Sequence, residues 1–213
     1  MINPEIQAYV EESILPQYRG FDKAHNLAHG EKVIHNSMAI AADYDVDSDM
    51  VYVIAAYHDI GLAHGRAEHE KNSGMALRAD RRLQAWFTPE QITLMAEAVE
   101  DHRASNECPP CSLYGRIVSE ADRDIDCMTI LTRTIQYGLA HYPEYDSAEH
   151  YRRTQEHMQE KYGVGGYLKL WLETEENTRN LQELHALLAD EERFRAEFAR
   201  IFRSEQEKFA TGA

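Results

Sequence analysis

The chain has 213 residues, of which 43% are hydrophobic, enough for one sizeable buried core and no more than one domain with an extension. Twenty-two basic against 37 acidic residues give a formal net charge of −15, which repels a phosphodiester backbone and argues against general nucleic-acid binding. No apolar run approaches the roughly 20 residues of a membrane-spanning helix, and the acidic start MINPEIQAYVEE lacks the basic-then-apolar order of a secretory signal, so a cytoplasmic, membrane-free protein is expected.

Helical periodicity dominates from the first residues. Asn3 followed by Pro4 predicts a capped helix whose stripe Ile6, Val10 and Ile14 stops at Pro16. The next two helices are read over 28–43 and 49–59, the second capped by Asp47 or Ser48. Met75, Ala76, Leu77 and Ala79 predict a helix opening at His69. In TPEQ, Thr88 and Gln91 form a capping box with Pro89 in the first turn, starting a helix that reaches His102. Ile117, Val118, Ala121 and Ile125 place Asp122 on a further apolar-periodic segment. Beyond it, helices are expected over 127–140 and 147–162, then a break at YGVGGY. Leu181, Leu184, Leu187 and Leu188, then Phe194, Phe198, Ile201 and Phe202, form an amphipathic helical pair that serves as core or as a homodimer contact. No alternating strand pattern stands out, so the fold class is all-α.

Chemistry concentrates at His58-Asp59, an imidazole beside a carboxylate where the apolar helix MVYVIAAY ends. Adjacent residues on a continuing helix diverge, but at a helix end two such side chains can converge on one ion. His29 and Asp122, each at the polar margin of an apolar-periodic segment, supply further donors. Imidazole and carboxylate ligands without cysteine favour a divalent transition metal, manganese or iron first, with Mg²⁺, Zn²⁺, Co²⁺ or Ni²⁺ also compatible. Three cysteines leave one unpaired, and Cys108-Pro-Pro-Cys111 has no second CxxC to close a zinc site. CPPC is read as a constrained loop with incidental thiols, and Cys127 as a small core residue.

His29, His58, Asp59 and Asp122, in the local contexts HxxKV, AAYHDIG and ADR, resemble the H…HD…D signature of the HD superfamily of metal-dependent phosphohydrolases. The resemblance covers roughly residues 25–130 and implies an HD-domain-like helical bundle, leaving 131–213 as a helical extension of the same single domain (1–213). Some HD phosphohydrolases carry six ligands, H…HD…H…H…D, and bind two metals bridged by the HD aspartate. His69, in H-x-x-x-S-G, and His102, at a helix end before ADR, look like the two extra ligands, with His64 a competitor for the role of His69. One or two ions are therefore expected.

The resemblance implies hydrolysis of a small phosphorylated metabolite, a nucleotide first, through metal-activated water, with Asp59 in the catalytic set. Glu70 beside His69 and Asp101 beside His102 are the candidate acids or bases, and Lys32, Arg66, Lys71, Arg103 and Arg123 the candidate phosphate contacts. HDIGLA lacks the Glu-Asp pair of alarmone hydrolases, and there is no GYP motif of the kind associated with cyclic-di-GMP cleavage. The alternatives are an HD-type diiron oxygenase and a non-catalytic nucleotide-binding regulatory module.

Overall fold

The computed structural model describes residues 2–21, 25–103, 108–123 and 125–211. Among these residues there is no strand, and none of the helices is long and apolar enough to cross a membrane. The chain folds as two compact units, Met1–Arg123 and Asp124–Ala213.

The first unit opens with α1 (Pro4–Tyr9), whose N-terminus Asn3 caps by accepting from the Glu5 N–H. Ile6, Val10 and Ile14 are buried as their spacing predicts, yet the helical path does not stop at Pro16. A proline ring has no N–H to donate and crowds the carbonyl four residues back. The chain accommodates it by widening to a π-helical turn over Val10–Ile14, then tightening to a 3₁₀ turn over Leu15–Gly20. The i+4 stripe thereby gains a fourth member, Tyr18, which is fully buried.

The helix at the centre of this unit is α3 (Ser48–Tyr57), capped by the Asp47 carboxylate, with every residue from Met50 to Tyr57 buried. A helix apolar on all sides belongs in the middle of a core. The helices around it are α2 (Leu27–Ala41), α4 (His69–Ala79), α5 (Pro89–Glu100) and α6 (Leu113–Ala121). The Thr88–Gln91 capping box is formed as expected. Val33, Leu77, Met95, Val99 and Val118 pack into one apolar cluster with α3. Burying such a side chain contributes roughly 1.5–3 kcal/mol, so this shell holds α3 and whatever its C-terminus carries in a fixed position.

Two close approaches complete the frame. A Cβ on Gly61 would lie 2.1 Å from the His69 carbonyl oxygen and 2.5 Å from the Ser73 nitrogen, so only glycine lets α4 rest on the turn after α3. The Gly61 N–H donates to the Ser73 hydroxyl at 2.8 Å, fixing that contact. A Cβ on Gly30 would meet the Tyr18 ring at 3.1 Å, which places the 3₁₀ turn directly on α2.

The second unit contains α7 (Cys127–His141), α8 (Ser147–Tyr162), α9 (Glu175–Ala189) and α10 (Glu191–Thr211). Its core gathers Ile130, Leu131, Met158, Leu184, Leu187, Phe194, Phe198 and Phe202. The leucine and phenylalanine stripe thus supplies an internal core. Cys127 is buried in the same cluster, while Cys108 and Cys111 are exposed in the first unit. In the YGVGGY break, Gly163 caps α8 and Gly165 adopts φ 85°, a conformation side chains rarely take.

Candidate metal centre

His58 is the C-cap of α3, and Asp59 follows it at φ −112°, ψ 4°, outside the helical region. This break at the helix end turns the two side chains toward one another instead of letting them diverge. His58 Nε2 lies 3.3 Å from Asp59 Oδ2. From the first turn of α2, His29 brings its Nε2 to 3.2 Å from His58 Nε2 and 3.5 Å from Asp59 Oδ2. Asp122, the C-cap of α6, places Oδ1 3.2 Å from His29 Nε2 and 3.9 Å from His58 Nε2.

The other oxygen of Asp59 faces a second group. His69 Nε2, at the start of α4, stands 3.4 Å from Asp59 Oδ1, and His102 Nε2 stands 3.7 Å from the same atom. Two constellations that could each hold a metal ion result: His29, His58 and Asp59, and Asp59, His69 and His102. His64 lies exposed at the end of the turn after Asp59, whereas His69 reaches the cluster.

Ring orientation is set from behind. His58 Nδ1 is 2.7 Å from the Ala55 carbonyl, His102 Nδ1 is 2.6 Å from the Val99 carbonyl, and His69 Nδ1 is 3.2 Å from the Arg66 carbonyl. A carbonyl can only accept, so each Nδ1 carries the proton and each Nε2 offers a lone pair to the cluster. Acceptors facing acceptors at these distances repel unless a proton or a cation lies among them, so the donor set fits divalent cations bound through Nε2 and carboxylate oxygens.

Without a cation, protons on the Nε2 atoms can take its place between the rings and the carboxylates, and the pKa shifts follow from them. Burial opposes charge on His29, but its hydrogen bonds to Asp122 and Asp59 and their negative charge outweigh that and raise its pKa to about 9. Burial would likewise raise Asp59, yet the charge of His58 and hydrogen bonds from His102, His29 and His58 hold it far below the usual carboxylate range. Asp122 is also lowered, its burial overcome by the hydrogen bond from His29 and the charges of His58 and His102. His69 moves down, through burial and the neighbouring charge of His102.

The remaining sequence-derived candidates separate. Glu70 is nearly buried, with Oε2 3.3 Å from His69 Nδ1 and both oxygens 3.4 Å from an Arg103 guanidinium nitrogen. Asp101 instead accepts from the Cys111 N–H at 2.8 Å, anchoring the CPPC loop. Lys32 is exposed on α2, and Lys71 is exposed and paired with Glu68 at 2.5 Å. Arg66 is exposed, 3.4 Å from His25 Nδ1, and the His25 ring meets that of His29 edge-on at 5.7 Å. Arg123 is buried, its Nε 3.3 Å from Glu120, whose side chain is fully buried. This ion pair holds Arg123 in the interior and does not present it to solvent.

Sequence reasoning missed Tyr18 and Glu120. The spacing Ile6, Val10, Ile14, Tyr18 carries the signal for the first, and a lone glutamate inside the apolar run IVSEA the signal for the second.

The family model of the HD domain matches residues 26–124, which contain all six clustered residues. A solved structure of a predicted HD superfamily hydrolase from an uncultured Thermotogales bacterium shares 22% identity, covering 71% of this chain and 82% of that chain, with a TM-score of 0.48. No curated protein matches the chain. Residues 26–124 match the HD domain, and the clustered histidines and aspartates fit the HD signature.

Proposed function

We propose that the protein is a metal-dependent phosphohydrolase acting on a small phosphorylated metabolite, with nucleotides the first class to test. The observation that carries this reading is the division of Asp59, whose Oδ2 faces His29 and His58 while Oδ1 faces His69 and His102. Manganese or iron is the proposed occupant, because every donor is an imidazole or a carboxylate. Bound in this way, divalent cations lower the pKa of water and neutralise charge on a phosphoryl group.

The chain's own residues supply the rest. Asp59 and Asp122 balance the cationic charge, and the Nδ1 contacts of His58, His69 and His102 keep their rings from turning. Glu70, held between His69 and Arg103, is the carboxyl placed to move a proton, whereas Asp101 is engaged with the CPPC loop. Lys32, Arg66, Lys71 and Arg103 are exposed and lie within three residues of a clustered histidine in sequence, which gives an anionic substrate local positive charge on a chain of net charge −15.

The test is phosphate or pyrophosphate release from nucleoside mono-, di- and triphosphates and dinucleoside polyphosphates, with Mn²⁺ or Fe²⁺. Release from at least one class is expected. Metal-replete protein inert across the panel overturns the proposal: O₂ uptake by the iron-loaded form would then assign an oxygenase, and nucleotide binding without turnover a regulatory module.

A further inference from the structure

We infer that Tyr18, which precedes the HD domain in sequence, is a positioning residue of the metal centre that fixes the His58-Asp59 pair from behind. The inference rests on the cation-binding reading of the cluster. Tyr18 is completely buried, and its hydroxyl meets the backbone and side chain of the segment that carries both ligands. It donates to the Ala56 carbonyl at 3.0 Å, accepts from the Asp59 N–H at 3.4 Å, and lies 3.3 Å from His58 Nδ1.

The proton inventory assigns the direction of each contact. His58 Nδ1 carries a hydrogen because it faces the Ala55 carbonyl, so the Tyr18 oxygen can only accept from it. One phenol group thus uses its single O–H on Ala56 and its lone pairs on Asp59 and His58. The outcome is one tautomer and one ring angle for His58, and one backbone orientation for Asp59 at the point where the chain leaves the helical region. The same ring covers Gly30, the residue after His29, so closely that a Cβ there would lie 3.1 Å from it, and α2 is registered against α3 through the same side chain. Tyr18 reaches this place on the 3₁₀ turn Leu15–Gly20, which with the π turn Val10–Ile14 carries the buried stripe past Pro16.

Tyr18→Phe removes the hydroxyl and keeps the ring on Gly30. Loss of an outer-shell hydrogen bond to a metal ligand typically weakens metal affinity by 10–100-fold, so Co²⁺ or Mn²⁺ should bind the variant at least roughly tenfold more weakly. The visible absorption of the Co²⁺ form should change in position or intensity, a signature that loss of stability alone would not move. If Tyr18→Phe does not fold, 3-fluorotyrosine at position 18 keeps the shape and weakens the oxygen as an acceptor, and cation affinity should fall in the same direction by a smaller factor. Wild-type affinity and an unchanged Co²⁺ spectrum in the variant that folds overturn the inference while leaving the metal centre intact. A wild-type protein that takes up no cation overturns both.

Discussion

Replacing Gly61 with alanine should separate the two cation sites, because this residue governs where α4 stands. The added Cβ would lie 2.1 Å from the His69 carbonyl oxygen, 2.5 Å from the Ser73 nitrogen and 2.7 Å from the Asn72 Cβ. Two of the three are backbone atoms, so no rotamer change relieves the clash, and α4 must retreat by more than 1 Å for the 2.1 Å approach to reach the 3.4 Å of ordinary van der Waals contact. The displacement also stretches the Gly61–Ser73 hydrogen bond, now 2.8 Å. Overpacking of this kind costs typically 1–3 kcal/mol, a fall in melting temperature of a few to about ten degrees for a unit of this size. The functional consequence is selective. His69 rides on the first turn of α4 and moves away from Asp59 Oδ1, now 3.4 Å distant, whereas His29 and His58 belong to α2 and α3. Calorimetric titration with Mn²⁺ should therefore show one site retained and the other weakened. Two cations bound with wild-type affinities, together with an unchanged melting temperature, would refute this account of Gly61.

Further outcomes follow from the same geometry. His102→Ala should lower the bound metal by about one ion per chain in elemental analysis, since it removes one of the two histidines facing Asp59 Oδ1; an unchanged ratio reduces the centre to one metal. Arg123→Met leaves Glu120 buried without its guanidinium partner and should destabilise by about 3–5 kcal/mol in urea denaturation, while a change confined to KM would contradict the buried-pair reading. In the metal-free protein the His29 pKa is raised from 6.5 to about 9, so its contribution to stability is full below 6.5 and is lost as pH rises through 9. Cation uptake must displace that proton, so binding should strengthen with pH up to about 9, and calorimetry at pH 7 in two buffers of different ionisation enthalpy should reveal proton release. Identical apparent enthalpies in the two buffers would contradict this.

Much of this centre is legible in the amino-acid sequence for a physical reason: each clustered residue sits at a helix end that the sequence marks. Asp47 caps α3, the Thr88–Gln91 box starts α5, and the apolar run through Tyr57 announces a helix buried on all sides. Less legible are features that depend on side chains far apart in the chain or on the direction in which a helix end releases its residues. Arg123 next to Asp122 resembles a phosphate contact because its neighbour faces the cluster, but at the end of α6, unlike at His58-Asp59, the two consecutive side chains part, and Arg123 turns inward to Glu120. Asp101 beside His102 diverges in the same way, toward Cys111. Tyr18 is hidden by a rule that holds only for the α-helix: proline ends that helix, yet here the chain continues in π and 3₁₀ turns that keep the buried stripe in register.

The central claim is that one carboxylate, Asp59, joins two cation sites. Metal content after loading with Mn²⁺ and exhaustive buffer exchange, compared between wild type and Asp59→Ala, tests it most directly. The account predicts two ions per chain in the wild type and close to none in the variant, because both constellations lose their shared oxygen donor. A folded Asp59→Ala that retains the wild-type metal content would contradict it.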